Sequence, residues 1–448
     1  MVEKLAGFVG EQFVAGDAGY DDARKLYNGL IDTRPALIAR CAGTTDMTAA
    51  IAAARERGLE LSVRGGGHNV AGRALVDGGL VVDLSGMKTI EVDAGARRGR
   101  AGGGVNWGEL NEATQAHGLA VTGGVISTTG IAGLTLGGGI GWLMPKYGLA
   151  LDNLVSAEVV TADGRVLTAS EDENADLFWA LRGGGGNFGA VSTFEFQLHE
   201  VGPTITGGRI VYPLSAAGEL LRFFRDWAPA LPDEAMAAFA LLRVPDDAGT
   251  KLAGVVVCHI GAPDQAERDL APLLGHGSPV LTEIGPLPYS VQNTLIDDGF
   301  PQGSLNYWRS RFLDDVPDGA VDALVEAFGR AEAPLAKIIL ESVHGQVCRI
   351  PLEDTACELR RPGFNCVITN VWFDPGTTEA NIAWTRDAFE ALSPFGSSLR
   401  YVNYLSGDEL GDAQLRSVYG ANLDRLRQVK RIYDPDNIFR QNLNIPPA

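Results

Sequence analysis

Ser62-Val-Arg64-Gly65-Gly66-Gly67-His68-Asn69 breaks a β-like apolar run into three consecutive glycines followed by a histidine. Glycine costs about 0.5–1 kcal/mol inside regular structure, so a cluster persists where the backbone needs unusual φ or must touch a ligand. Successive N–H groups released at the end of a strand converge into an anion cradle suited to a pyrophosphate, to which Arg64 adds charge. Taken alone, the segment also reads as a tight loop with a surface histidine.

Two further segments decide between these readings. Gly123-Gly-Val-Ile-Ser-Thr-Thr-Gly130-Ile-Ala-Gly133-Leu-Thr-Leu-Gly-Gly-Gly139-Ile-Gly141 interleaves glycines with hydroxyls and aliphatics. It suits neither helix nor strand throughout and reads as backbone laid against a flat or polyanionic ligand. Gly183-Gly-Gly-Gly-Asn-Phe-Gly189 contains G-x-G-x-x-G, but a helical pattern precedes it and a strand pattern follows. A dinucleotide fingerprint has the opposite order, so these glycines read as a close approach between layers.

A chain of 448 residues exceeds one ordinary core, so two domains are expected. Its 57 glycines are nearly twice the usual share of roughly 7%, and they concentrate between Arg64 and Gly189. The net charge of −19 repels phosphate backbones and anionic lipids, which excludes nucleic acid and membrane surfaces as partners. The segment 1–13 lacks the pattern of a signal peptide and no long apolar run occurs, pointing to a cytoplasmic protein. Five cysteines without a Cys-x-x-Cys pair, and six scattered histidines, imply neither a disulfide framework nor a metal.

Periodicity predicts helices over 46–57, 107–117 and 172–181, strands over 61–64, 80–84 and 190–198, and a hairpin turning at Asp163-Gly164. Beyond residue 203 glycine thins out. Strands are expected at 255–260, 338–343 and 366–373, alternating with helices at 318–332 and 378–392. The tail reads as a strand over 399–405 and one helix over 413–433. The fold class is α+β in two domains.

Arg64-Gly-Gly-Gly-His68, Gly130-x-x-Gly-x-x-x-Gly-Gly-x-x-Gly141, Lys146-Tyr-Gly-Leu-x-x-Asp-Asn153, Leu177-Phe-Trp-Ala-x-Arg-Gly183, Asn187-Phe-Gly189, Tyr401-Val-Asn-Tyr404 and Asp434-Pro-x-Asn-x-Phe439 together resemble the berberine-bridge-like branch of the vanillyl-alcohol oxidase superfamily. The resemblance implies a PCMH-type FAD-binding domain over 1–203, an antiparallel-sheet substrate domain over 204–405, and a C-terminal segment over 406–448 that returns to the first. It implies FAD as cofactor, joined to the protein at His68. Gly65, Gly66, Gly67 and Asn69 would flank that link, with Val125, Thr128, Thr129, Gly130, Gly133, Gly139, Gly141, Val191 and Asn442 completing the cofactor site. Many relatives add a second link through a cysteine. Here Ile126 stands in its place and cannot form one, so a single link is expected.

The resemblance also implies oxidation of a small molecule by hydride transfer to flavin, with O₂ as acceptor and H₂O₂ as product. A dehydrogenase with another acceptor and a non-catalytic flavin protein stay open as alternatives. Tyr404 maps onto the general base. Along a regular strand residues three apart face opposite ways, so only one of Tyr401 and Tyr404 is expected to face the cofactor. Thr129, nearly isosteric with the slim valine that accompanies oxidase behaviour, is expected to admit O₂. Tyr307, Asn370 and Trp372 are expected in the substrate pocket. The substrate class, whether alcohol, sugar or amine, is left open.

Overall fold

A computed structural model describes residues 2–246 and 248–448; Met1, at the head of the 1–13 segment, lies outside them. Its N-terminal sheet has the spatial order Glu11–Phe13, Leu37–Arg40, Leu80–Asp83, Leu61–Arg64, the last three mutually parallel. Parallel neighbours need a crossover. The alanine-rich helix Thr44–Glu56 supplies it. Leu80–Asp83, flanked on both sides, is buried throughout and correspondingly all apolar but for its last residue. Leu61–Arg64 therefore delivers the glycine triplet at the carboxyl end of a parallel strand.

A second, five-stranded sheet is antiparallel, with the order Ile90–Asp93, Arg98–Gly102, Ala190–Gln197, Leu154–Val160, Val166–Ser170. The expected hairpin is present, Gly164 taking φ +85° in its turn.

From Thr204 onward seven antiparallel strands build one large sheet. Its order is Leu281–Pro288, Thr204–Pro213, Lys251–His259, Ala235–Arg243, Lys337–Val343, Gly363–Trp372, Leu305–Leu313. Alternation divides its two faces. Phe239, Val255, Leu340 and Ile368 pack under Phe224, Leu270, Leu324 and Phe389 from four helices, while the intervening residues turn toward the N-terminal half. Tyr307, Asn370 and Trp372 belong to the helix-covered side, where Asn370 donates to the Asn381 carbonyl, so the expectation that they line a pocket is corrected. Their neighbours Trp308 and Thr369 face the other way.

The C-terminal segment corrects two expectations. No strand forms over 399–405; Val402–Tyr404 is a single 3-10 turn. The helix over 413–433 is broken into Asp412–Tyr419 and Leu423–Tyr433 by Gly420, whose φ of +44° a continuous helix cannot contain. Leu426 and Val429 pack with Phe178 and Phe188 of the N-terminal half. The buried Lys430 ammonium donates to Asp434 at 2.7 Å and to the carbonyls of Asn187 and Phe439. Asp434 in turn accepts from the Ile438 and Phe439 N–H groups, which accounts physically for the aspartate that opens the Asp434-Pro-x-Asn-x-Phe439 pattern. No helix among the described residues is long and apolar enough to cross a membrane.

Candidate active site

Where strand Leu61–Arg64 ends, Gly66 and Gly130 bring their backbones together: a Cβ on Gly66 would sit 2.5 Å from the Gly130 Cα. Two glycine-rich loops thus interlock at a distance no other residue allows. Between them and the helix-free face of the large sheet lies a cavity of about 570 Å³. Gly65, Gly66, Gly67, His68 and Asn69 line it from the first loop. Val125, Thr129, Gly130 and Gly133 line it from the second, and Val191, Asn442 and Tyr404 from elsewhere. A Cβ on Gly133 would meet nothing within 4 Å, because that face is open.

Arg64, Thr128, Gly139 and Gly141 lie outside the lining. The Arg64 guanidinium turns away and donates to the Ala23 and Lys25 carbonyls. Thr128 is exposed. Gly139 and Gly141 serve packing, since added Cβ atoms would fall 2.3 Å from the Ala150 Cβ and 1.9 Å from the Gly123 carbonyl oxygen. In the third glycine segment Gly183 and Gly184 pack against Cys357 and the Ala180 carbonyl, as expected, while Gly185 and Gly186 also line the cavity.

His68 is stacked on Tyr27, ring centroids 3.9 Å apart and planes within 12°. The Tyr27 hydroxyl donates to Asn306 of the large sheet at 3.2 Å. Burial pushes the imidazole down to about 4, so it is neutral near pH 7. Its Nε2 is buried and has no hydrogen-bond partner among the described residues.

Tyr404 reaches the cavity from its 3-10 turn and donates to Glu341 Oε1 at 2.9 Å. Asn365 donates to the other carboxylate oxygen at 2.7 Å. Burial is the main cause that drives Glu341 up to about 7. Burial, followed by the charge of Glu341, drives the Tyr404 phenol well above its ordinary value. Tyr401 stands edge-on to Tyr404 at 4.9 Å, and its hydroxyl accepts from the Gly139 N–H at 2.8 Å. A turn, unlike a strand, puts both rings on one side, with Tyr401 behind Tyr404 as a brace. The premise of opposite strand faces is therefore replaced.

Sequence reasoning missed four residues here. Glu341 and Lys337 both line the cavity from strand Lys337–Val343, and two charged residues at i and i+4 of a strand with no other charge were the available signal. Lys337 is pushed down to about 7 by burial, donates to the Gly299 and Leu335 carbonyls, and lies 4.3 Å from the Phe300 ring centroid. Trp142 presents a buried indole N–H without a partner among the described residues. Arg73, at the Asn442 end, donates one N–H to the Asn442 carbonyl and keeps another buried and, among the described residues, unpartnered. Nothing local in the sequence marks Arg73.

Residues 35–170 match the family model for the FAD binding domain, and residues 400–446 that for berberine and berberine-like proteins. (R)-6-hydroxynicotine oxidase of Paenarthrobacter nicotinovorans is 35% identical over 100% of this chain and 99% of its own length. The chain belongs to the FAD-linked, berberine-bridge-like oxidoreductases. A FAD-linked oxidoreductase of Bacillus subtilis is 30% identical over 98% of each chain. The crystal structure of 6-hydroxy-D-nicotine oxidase from Arthrobacter nicotinovorans superposes with a TM-score of 0.88 at 33% identity, covering 99% of this chain and 100% of the other. The Physcomitrella patens BBE-like 1 protein, 23% identical, shares the fold with a TM-score of 0.90 over 99% of this chain and 98% of its own.

The protein is thus an FAD-dependent oxidoreductase, and its own residues fit that cofactor. Arg73 is a half-buried cation that forms no ion pair among the described residues, which suits a diphosphate. Gly133 leaves open space against one wall, and among the described residues His68 offers an unpartnered ring nitrogen.

Proposed function

We propose that this oxidoreductase oxidises a small organic molecule beside FAD held covalently by His68, with O₂ as acceptor and H₂O₂ as product. In this reading residues 1–203 and 406–448 bind the cofactor and residues 204–405 bind the substrate. The observation that carries the reading is the Tyr404–Glu341 hydrogen bond at 2.9 Å facing the same cavity as the unpartnered His68 nitrogen.

Bound FAD supplies the two-electron acceptor for a hydride leaving the substrate carbon. The rest falls to the chain. A phenol held neutral cannot stand by as a free phenolate, so Tyr404 takes the O–H or N–H proton of the substrate as its own proton passes to Glu341 Oε1. Glu341, near 7, is matched to that task at neutral pH. His68, being neutral, keeps a lone pair for bonding to the cofactor. Tyr27 holds its ring in place, and Thr129 faces the cavity where O₂ must pass.

The test is to precipitate the yellow protein with acid and then to screen alcohols, sugars and amines anaerobically for flavin bleaching, followed by peroxide measurement on readmitting air. Flavin that washes away, or that no small molecule reduces, would refute the proposal.

A further inference from the structure

Tyr404 sits in a short turn rather than in a strand or helix, so its direction depends on what holds the turn at each end. Ahead of the ring, Asn403 donates to the Leu134 carbonyl at 3.0 Å and the Tyr401 hydroxyl accepts from the Gly139 N–H. Behind it the chain runs along the edge of the large sheet, where among the described residues no strand pairs with the outer side of Leu305–Leu313. An edge strand leaves backbone groups that need partners. The Ser406 hydroxyl donates to one of them, the Trp308 carbonyl. The Trp308 ring itself stands edge-on to Tyr404 at 5.9 Å and lines the cavity.

Glu409 completes this mooring. Its side chain is 4% exposed, and both of its oxygens are used. Oε2 accepts from the Ser406 N–H at 2.9 Å. Oε1 receives Arg309 Nη1 at 2.8 Å, and Arg400 Nη2 as well. Arg309 belongs to the edge strand beside Trp308, whereas Arg400 and Glu409 flank Tyr404 in the chain. One carboxylate therefore closes the segment 400–409 around Tyr404 and ties it to the sheet that carries Glu341.

Burial decides which acid of this cluster fixes geometry. Exposed ion pairs contribute little, but a buried pair that loses one partner is strongly destabilised. Asp408, which pairs with Arg309 and Arg386, is 39% exposed. Glu409 is the enclosed one. It also lies outside the cavity lining, so its influence on the reaction must pass through another residue. Misplacing a reacting group by about 1 Å costs on the order of 100-fold in rate.

Resting on the reading of Tyr404 as the group that takes the substrate proton, we propose that Glu409 is a positioning residue. By joining Arg400, Ser406 and Arg309 it fixes the turn so that the Tyr404 phenol stays on Glu341.

Fluorine NMR reads Tyr404 directly and needs no substrate. Flavin-loaded enzyme labelled throughout with 3-fluorotyrosine gives a line for Tyr404, assigned by its absence from the same protein carrying Tyr404→Phe. In the wild type that line should be single and should shift with pH around 7, as Glu341 titrates beside it. Glu341→Gln should abolish the response, which separates it from any response to Lys337, also near 7. In Glu409→Gln the Tyr404 line should broaden or double, and its response near pH 7 should be lost. Glu409→Asp, which keeps the charge but draws it back by one methylene, takes its place should that variant misfold and should show the same change. Arg386→Gln removes a partner of Asp408 without touching Glu409 and should leave the line as in the wild type. A sharp line with an unmoved midpoint in Glu409→Gln, or in Glu409→Asp should the first misfold, overturns the inference, as does an equal change in Arg386→Gln. A wild-type line without a response near pH 7, or a response that survives Glu341→Gln, overturns the underlying reading of Tyr404 itself.

Discussion

Tyr404→Phe removes one hydroxyl, and its consequence travels through Glu341. That hydroxyl and the Asn365 amide are the two donors that favour the ionised carboxylate against the burial pushing it up to about 7. A hydrogen bond to a charged group contributes about 1.5–3 kcal/mol, and about 1.4 kcal/mol is one pKa unit. Losing the Tyr404 donor should therefore raise Glu341 by about one to two units, to roughly 8 or 9. Only the ionised carboxylate can receive the relayed proton. The kcat/KM of the wild type is thus expected to rise with pH through about 7 and then level off. In the variant the rise should move to roughly 8 or 9, with a loss of about 100- to 10,000-fold remaining on the plateau because the phenolic oxygen no longer carries the proton.

The other groups around Glu341 do not mimic this profile. Tyr401 and Cys366 are both pushed up by burial, and Asn365 does not titrate. Lys337, four residues along the same strand, is pushed down to about 7, so the profile should be repeated in Lys337→Met, where the midpoint is expected to stay. Anaerobic stopped-flow reduction across pH 5–10 provides the measurement. A Tyr404→Phe enzyme with an unmoved midpoint and near-normal plateau would refute the relay.

Other predictions concern attachment, stability and oxygen. His68→Ala should release the yellow colour on acid precipitation. Tyr27→Leu, which removes the ring stacked on His68, should lower the covalently bound fraction without lowering total flavin; full attachment in both variants would end the assignment. Glu341 has a folded value of about 7 against an ordinary 4.5, so the stability its burial permits is complete below about 4.5 and lost as pH rises to 7, a difference of about 3 kcal/mol. Denaturant titration of flavin-free Glu341→Gln should lack that pH dependence, and a slope equal to wild type between pH 4 and 8 counts against it. Thr129 faces the cavity, and Thr129→Leu is expected to slow reoxidation of the reduced enzyme by air while Thr129→Val leaves it near normal; equal rates in all three would remove the gate.

Local elements were legible because their causes are local. The helix expected over 46–57, the hairpin at Asp163-Gly164 and the strand ending in Gly65-Gly66-Gly67 follow from alanine content, positive φ and apolar runs that lie next to one another in the chain. The place of His68 and Tyr404 at the cavity was legible because a short motif surrounds each. The strand expected over 399–405 failed because its aromatic alternation imitates a strand, whereas the turn there is held by contacts from far away, among them Asn403 donating to the Leu134 carbonyl.

What only the tertiary structure decided is which distant groups share one cavity. Tyr27 meets His68 through a stack, and Tyr404 meets Glu341 across 63 positions of sequence. Tyr307 and Trp308 are adjacent in sequence, yet one sits under the helices and the other faces the cavity. Alternation shows that they part company but not which goes where, because both are aromatic and both faces of this sheet are covered. A buried carboxylate near 7 has the same cause: Glu341 is an ordinary acid in its strand, and only the protein folded around it withholds water and a counterion.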